Sequence, residues 1–242
     1  WDDDTDICML REDYQRFLKV APLELTGEYH INSPYSEESY NYVFSRILNA
    51  TSISYNYSRL SQFHRCPYII GVDIFPLDTV TTNPDEKSIL YQLIHILISA
   101  VNQYDDKPEE VISMIPDLEK LCNIKLDTSR CIKNQLLRIA DSLCQTYNGS
   151  NSSFISYIPE DSQKDIHLQR EWFNTYDYLP FENILIPVPK QYDDILTALY
   201  GDYMTPVQNC AGHDYPFYKK QTNAMAKHIT QTIMDGKKPF IV

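Results

Sequence analysis

The sequence is poor in basic residues. Across 242 residues, 21 Lys and Arg stand against 33 Asp and Glu, a formal net charge of -12. Nucleic-acid backbones are met by clustered Lys and Arg, and no such cluster occurs. A generic nucleic-acid surface is therefore excluded. A phosphorylated small substrate is not, because a divalent cation can neutralise it locally. The six cysteines (Cys8, Cys66, Cys122, Cys131, Cys144, Cys210) include no CxxC pair. His64 and Cys66 have no second pair at zinc-site spacing, so neither a structural zinc nor a disulfide framework is indicated. Reduced, mostly buried thiols in a cytoplasmic protein are expected. Long apolar runs are also missing. The best stretch, "SILYQLIHILISAV" (88–101), is too short for a bilayer and carries Gln92 and His95, so its helical spacing reads as a buried helix. There are no internal repeats and no low-complexity linker, and no signal peptide stands at the visible start. The chain opens on Trp1 rather than Met, from which an upstream segment is expected.

With 43% hydrophobic and 22% charged residues, the composition is that of a globular chain large enough for a real core. "REDYQRFLKVAP" predicts a helix with Tyr14, Phe17 and Leu18 on its apolar face and Pro22 beyond its end. Residues 40–55 are ambiguous, but β-branched and aromatic content favours a strand with Tyr42, Phe44, Arg46 and Leu48 on one face. In "PYIIGVDIFPLD" (67–78), the run Ile69 to Phe75 suits a buried strand closed by Pro76. Three helices follow, near 86–102, 108–122 and 128–147, and then a loop at 147–153. A strand is expected over 181–189, a helix over 190–201 with Gly201 at its C-terminal cap, and a last helix over 219–236. The fold class is α+β: a single domain over 1–242, a mixed β-sheet flanked by helices, with a helical insert at about 84–148.

The opening run, "WDDDTDICMLREDYQRFL", puts four aspartates directly before an apolar stretch. A solvated acidic end predicts no register, yet Asp2, Asp4 and Asp6 alternate with Asp3 and Thr5. In a strand they share a face, and Asp3 looks the other way. A calcium loop fits less well: its sixth position is Ile7 rather than Gly, and its twelfth is Asp13 rather than Glu. Carboxylates that converge repel unless a cation sits among them. A metal site needs a further carboxylate, and "GVDIFPLD" offers Asp73 and Asp78. Asp73 lies between Val72 and Ile74, where a lone carboxylate is costly unless paired or metal-bound. Asp78 suits a turn or helix cap. The resulting constellation is Asp4, Asp6 and Asp73 around one or two Mg²⁺ or Mn²⁺ ions, a clamp suited to phosphoryl transfer.

These residues carry a resemblance. "WDDDTDICMLREDYQRFL" and "VDIFPLD" resemble the two hallmark segments of the LicD family. That family includes bacterial phosphocholine transferases and is related to fukutin-related glycan transferases. "REWFNTYDYLPFENILIPVPKQYDDILTALYGDYM" and "HDYPFYKKQ" resemble its C-terminal half. The resemblance implies a nucleotidyltransferase-type fold. It also implies Mg²⁺-dependent transfer of phosphocholine, or a similar phospho-substituent, from a CDP-activated donor such as CDP-choline. The acceptor would be a hydroxyl of a cell-surface glycan, lipopolysaccharide or teichoic acid, or a precursor. The enzyme would be cytoplasmic, peripheral to the inner face of the membrane through its acceptor. By the same resemblance Asp4 and Asp6 are metal ligands, with Asp2 alongside. Asp73 is either the third ligand or the base for the acceptor hydroxyl. Arg46 is a donor-phosphate contact, and His213 matches a family position without an assigned role. The family's Gly-rich segment before the Trp is not in this sequence, which implies weak or absent activity for the chain as it stands. The family's basic residues before the C-terminal His are replaced by "QNCAGH". Transfer of polyol phosphate or a phosphosugar, and a degenerate binding domain, are the alternatives.

Among the remaining residues, Arg11 beside Glu12 and Asp13 is expected on a solvated helix surface. The 19 tyrosines are mostly packing, but aromatic faces attract quaternary ammonium groups. Tyr200, Tyr203, Tyr215 and Tyr218 are the candidates for a headgroup pocket.

Overall fold

The structure is a computed structural model and describes residues 5–205 and 219–238. It bears out the α+β class: a mixed six-stranded sheet, helices packed around it, and a separate two-stranded hairpin. Strand β1 (Asp6–Leu10) runs without a loop into helix α1 (Arg11–Glu24). β2 (His30–Asn32) and β3 (Ser45–Leu48) follow, then the short α2 (Tyr57–Gln62). The long β4 (Gly71–Thr79) is the axis of the sheet. It pairs in parallel with β1, Asp6 opposite Asp73 through Leu10 opposite Leu77, and antiparallel with β3. β5 (Phe154–Ser156) pairs antiparallel with the end of β4, and β6 (Leu168–Gln169) with β5.

Between β4 and β5 the chain makes three helices, α3 (Pro84–Gln103), α4 (Pro108–Cys122) and α5 (Ile132–Cys144). Asn83 caps α3 by accepting from the backbone N–H groups of Asp85 and Glu86, and Pro84 occupies its first position. Leu97, Val101, Val111, Ile115, Leu118, Leu136 and Leu137 form one core among these helices, so the helical stripes read from the sequence are interior. After the short α6 (Ile158–Asp161) and a 3₁₀ turn (Arg170–Phe173), a second core gathers Leu77, Ile155, Leu168, Phe173 and Ile195. Ile195 belongs to α7 (Tyr192–Tyr200), which ends at Gly201 with φ +68°, the backbone setting that favours glycine. Helix α8 (Lys219–Met234) buries no residue. Its Gln221 amide ties it to the segment that leads into β4 by donating to the Ile69 carbonyl (2.8 Å) and accepting from the Ile69 N–H (3.0 Å).

Two prolines sit where the sequence placed an end. α1 continues through Pro22 to Glu24, because a proline in the last turn removes just one helical bond. β4 continues through Pro76, which pairs with Met9. The β3 pairing has already stopped at Ile74, so Pro76 removes no bond from that ladder. The ambiguous 40–55 region is a strand only over Ser45–Leu48. The strand read over 181–189 is half of a hairpin, β7 (Tyr176–Phe181) and β8 (Ile184–Pro189), exposed along most of its length. Its prolines fall at Tyr176 opposite Pro189, Tyr178 opposite Pro187, and Pro180 opposite Leu185. These pairs alternate with those that exchange backbone bonds, so each proline takes the place of an outward-facing N–H. The described cysteines are all free, but Cys144 alone among them is buried and Cys8 is exposed. The expected burial of the thiols thus holds for one.

Arg11 corrects its expected place on a solvated surface. The strand-to-helix junction carries it inward, and it is 5% exposed. Its Nε and Nη2 donate to the two Asp78 oxygens (2.8 and 2.5 Å), and its Nη1 donates to Asp141 Oδ1 (2.9 Å). Asp78, expected as a cap, is fully buried within β4. Asn148 Nδ2 donates to Asp78 (2.6 Å), and Tyr35 Oη (2.5 Å) and Gln145 Nε2 (2.9 Å) donate to Asp141. Burial pulls Arg11 down, but its bonds to Asp78 and the charges of both carboxylates outweigh that and hold it protonated. Burial pushes Asp78 up, and Arg11 offsets only part of it. Removing one member strands the others in a medium that cannot solvate them. Asp78→Ala is expected to cost about 3–5 kcal/mol of stability, read as a lower urea midpoint at unchanged slope.

Candidate functional site

Strand alternation decides which aspartates meet. Asp6 is opposite Asp73, Asp73 opposite Arg46, and Arg46 opposite Asn32. Directly opposed residues on adjacent strands project from the same face. One polar row, Asp6–Asp73–Arg46–Asn32, therefore crosses β1, β4, β3 and β2. Asp78, five positions after Asp73, faces the other way into the Arg11 network. Asp6 is exposed at the open end of the row. Asp73 is held by Arg46, whose Nε donates to Oδ1 and whose Nη2 donates to Oδ2 (2.5 Å). The Asp73 side chain is 15% exposed and that of Arg46 33%. The Asp73 hydrogen bond, working against partial burial, raises the guanidinium above its ordinary value.

The row is an electrostatic device. Two carboxylates on adjacent strands and one face repel one another. Arg46 compensates the carboxylate of Asp73. Gly71 makes the Arg46 pose possible. A Cβ there would lie 2.7 Å from Arg46 Cγ, 2.8 Å from its Cδ and 2.9 Å from the Ile47 carbonyl oxygen. The sequence offered no sign of this role beyond a glycine opening an apolar run.

The next positions on the same face are aromatic. Tyr42 and Phe44 stack at 4.9 Å, Phe44 meets Phe75 at 4.7 Å, and Phe75 meets Tyr157 at 4.8 Å. The Arg46 guanidinium lies 5.5 Å from the Tyr42 ring centre and 5.7 Å from that of Phe44. The shared face of Tyr42, Phe44 and Arg46 is thus present, although the regular strand starts only at Ser45. Two of the C-terminal tyrosines, Tyr200 and Tyr203, are among the described residues. Tyr203 donates to Asp193 Oδ1 (2.6 Å), which pushes its phenol up to about 12. Tyr200 is largely exposed, and its phenol is raised first by partial burial, then by the charges of Cys8 and Asp6.

Of the predicted site residues, the structure brings together Asp6, Asp73 and Arg46. Asp2, Asp4 and His213 lie outside the described residues, as do Tyr215 and Tyr218. Among the described residues no group of three or more His, Cys, Asp or Glu could hold a metal ion. The donor set nonetheless fits a hard cation in part: Asp6 and Asp73 supply carboxylates on adjacent strands and one face.

No family model matches the chain, and no solved structure matches it. Among curated proteins it is similar to the lipopolysaccharide cholinephosphotransferase LicD of Haemophilus influenzae. The two are 27% identical over 231 residues, spanning 84% of this chain and 74% of that protein. This similarity supports membership of the LicD family. Asp6 and Asp73, from the two segments that resemble the LicD hallmarks, are the register partners that open the polar row, and Arg46 closes on the second of them. Among the described residues, no helix is long and apolar enough to cross a membrane.

Gly71→Ala is expected to destabilise the protein by about 1–3 kcal/mol through overpacking. In a double-mutant cycle with Arg46→Ala, measured by chemical denaturation, the two changes should couple by at least about 0.5 kcal/mol. Strict additivity would show that Gly71 does not shape the Arg46 pose.

Proposed function

We propose that this protein transfers phosphocholine from a CDP-activated donor to a hydroxyl of a cell-surface glycan such as lipopolysaccharide. Two things support the reading: the similarity to a lipopolysaccharide cholinephosphotransferase, and the meeting of Asp6, Asp73 and Arg46 on one face. The second observation carries it, because phosphoryl transfer asks for carboxylates and a guanidinium around one phosphate.

In this reading Arg46 has two anionic partners in turn. One is Asp73, on which it closes in the structure. A donor phosphate offers a bidentate acceptor of higher charge, and Arg46 turning to it releases the Asp73 oxygens. Asp73 then faces the incoming sugar hydroxyl as its proton acceptor or as a further metal ligand. Asp6 and Asp73, with Asp4, are the residues that would hold Mg²⁺ or Mn²⁺. A bound metal would neutralise the diphosphate and the charge on the leaving oxygen. The hydroxyl oxygen forms the new bond to the phosphorus that carries the headgroup, the bond from that phosphorus to CMP breaks, and CMP leaves.

The test is CMP release from CDP-choline with lipopolysaccharide as acceptor. Asp6→Asn and Asp73→Asn should each lower turnover by at least about 100-fold, with thermal unfolding close to that of the parent protein. EDTA should abolish release and added Mg²⁺ restore it. Parent-like turnover in either variant would overturn the assignment. Release from CDP-glycerol or CDP-ribitol in preference to CDP-choline would shift it to polyol-phosphate transfer on the same scaffold.

A further inference from the structure

Next to the Asp73–Arg46 pair, Tyr40, Tyr42 and Phe44 make a compact aromatic group. Tyr42 and Phe44 are stacked with 29° between their planes. Tyr40 meets both edge-on, at 5.5 Å from Tyr42 and 6.4 Å from Phe44. The group is positioned by β3 and the residues leading into it. On the Phe44 side it is backed by Phe75 of β4, so it sits on the central strand rather than on a loose loop.

Three observations say that this group is more than packing. First, it already hosts a cation, because the Arg46 guanidinium lies within reach of two rings. That cation sits near the outer limit of about 6 Å for such contacts, so it does not fill the ring faces. Second, Tyr42 keeps 48% of its surface in solvent beside the pair, whereas Tyr40 keeps 8%. An open aromatic face next to a charged row is accessible to a ligand. Third, the Tyr40 hydroxyl is buried and finds no hydrogen-bond partner among the described residues. Buried hydroxyls are nearly always satisfied, so a donor left over at this place marks a contact that the described chain does not complete.

We infer that Tyr42 and Phe44 form the headgroup-specificity surface of the site and select a quaternary ammonium on the donor phosphate. The inference rests on the proposed transfer reaction and names the part of the donor that these rings read. The chemistry follows from the layout. A phosphate drawn to Arg46 takes the guanidinium off Asp73 and away from the rings. The ammonium, joined to that phosphate by a two-carbon link, reaches the aromatic faces that Arg46 leaves. A quaternary ammonium has no N–H to satisfy and is weakly hydrated, so an aromatic face suits it. A primary ammonium keeps its water or seeks oxygen acceptors, and a neutral polyol gains nothing from a ring quadrupole. The rings therefore discriminate by the chemistry of the headgroup and not by its size alone.

The test compares CDP-choline, CDP-ethanolamine and CDP-glycerol with the full chain by CMP release, alongside phosphocholine binding by calorimetry. Tyr42→Leu should lower kcat/KM for CDP-choline by roughly tenfold and weaken phosphocholine binding in parallel. Values for the other two donors should change less than about twofold. Tyr42→Phe, which keeps the ring, should retain the choline preference and control for damage to packing. If the parent protein neither releases CMP from any donor nor binds phosphocholine, the transfer reading fails and the specificity surface with it. If the parent protein is active and Tyr42→Leu affects all donors equally, or none, only the inference about the rings is overturned.

Discussion

A single guanidinium out of water sets the terms for the rest of the molecule. Arg11 stands at the joint where β1 becomes α1 and is answered by Asp78 of β4 and Asp141 of α5. Those partners are 67 and 130 residues away in sequence. A charge in that position tolerates no slippage. If β1 slid by one residue along β4, Arg11 would lose its bidentate carboxylate and every side chain of β1 would change face. The same slide would carry Asp6 away from Asp73. The buried network therefore keeps the polar row in register from the far side of the sheet.

β4 carries both tasks because its side chains alternate. Asp73 faces the open row, and Asp78 faces the interior. The first is mostly shielded but paired with an arginine that water can reach. The second is sealed and paired with an arginine that is sealed as well. Burial separates these two ion pairs: the Arg11 side chain is 5% exposed and that of Arg46 33%. Exchanging a partner is cheap where water can reach and costly where it cannot. An ion pair near the surface can act as a latch, whereas a sealed one is a rivet.

Much of this was legible in the sequence, for local reasons. The acids of "DIC" and "VDIF" stand on strands as expected, Asp6 on β1 and Asp73 on β4, while Asp2 and Asp4 lie outside the described residues. The side-by-side placement of Asp6 and Asp73 matches that expectation. The shared face of Tyr42, Phe44 and Arg46 followed from a two-residue period, and the helical unit from a stripe of period near 3.6. Arg11 was not legible. Its neighbours Glu12 and Asp13 suggest a solvated surface, and nothing near it points to partners so distant in the chain. Pro76 misled for a related reason: a proline ends a strand only where a neighbouring strand needs its N–H, and that depends on where β3 stops. Gly71 gave no sign because its task is defined by a side chain on another strand. Strand β7 was overlooked because its exposure on both faces removes the apolar-polar alternation by which strands are usually read.

The β7–β8 hairpin carries a further consequence. It holds Tyr178, Phe181, Ile184 and Leu185 out in solvent, a composition that invites polymerisation. Its three prolines leave neighbouring molecules no free N–H at those positions along either rim. The hairpin can lie against a surface, but it is a poor template for a cross-β stack. Adhesiveness and insolubility are thereby uncoupled: the ribbon keeps its greasy faces without seeding a fibril.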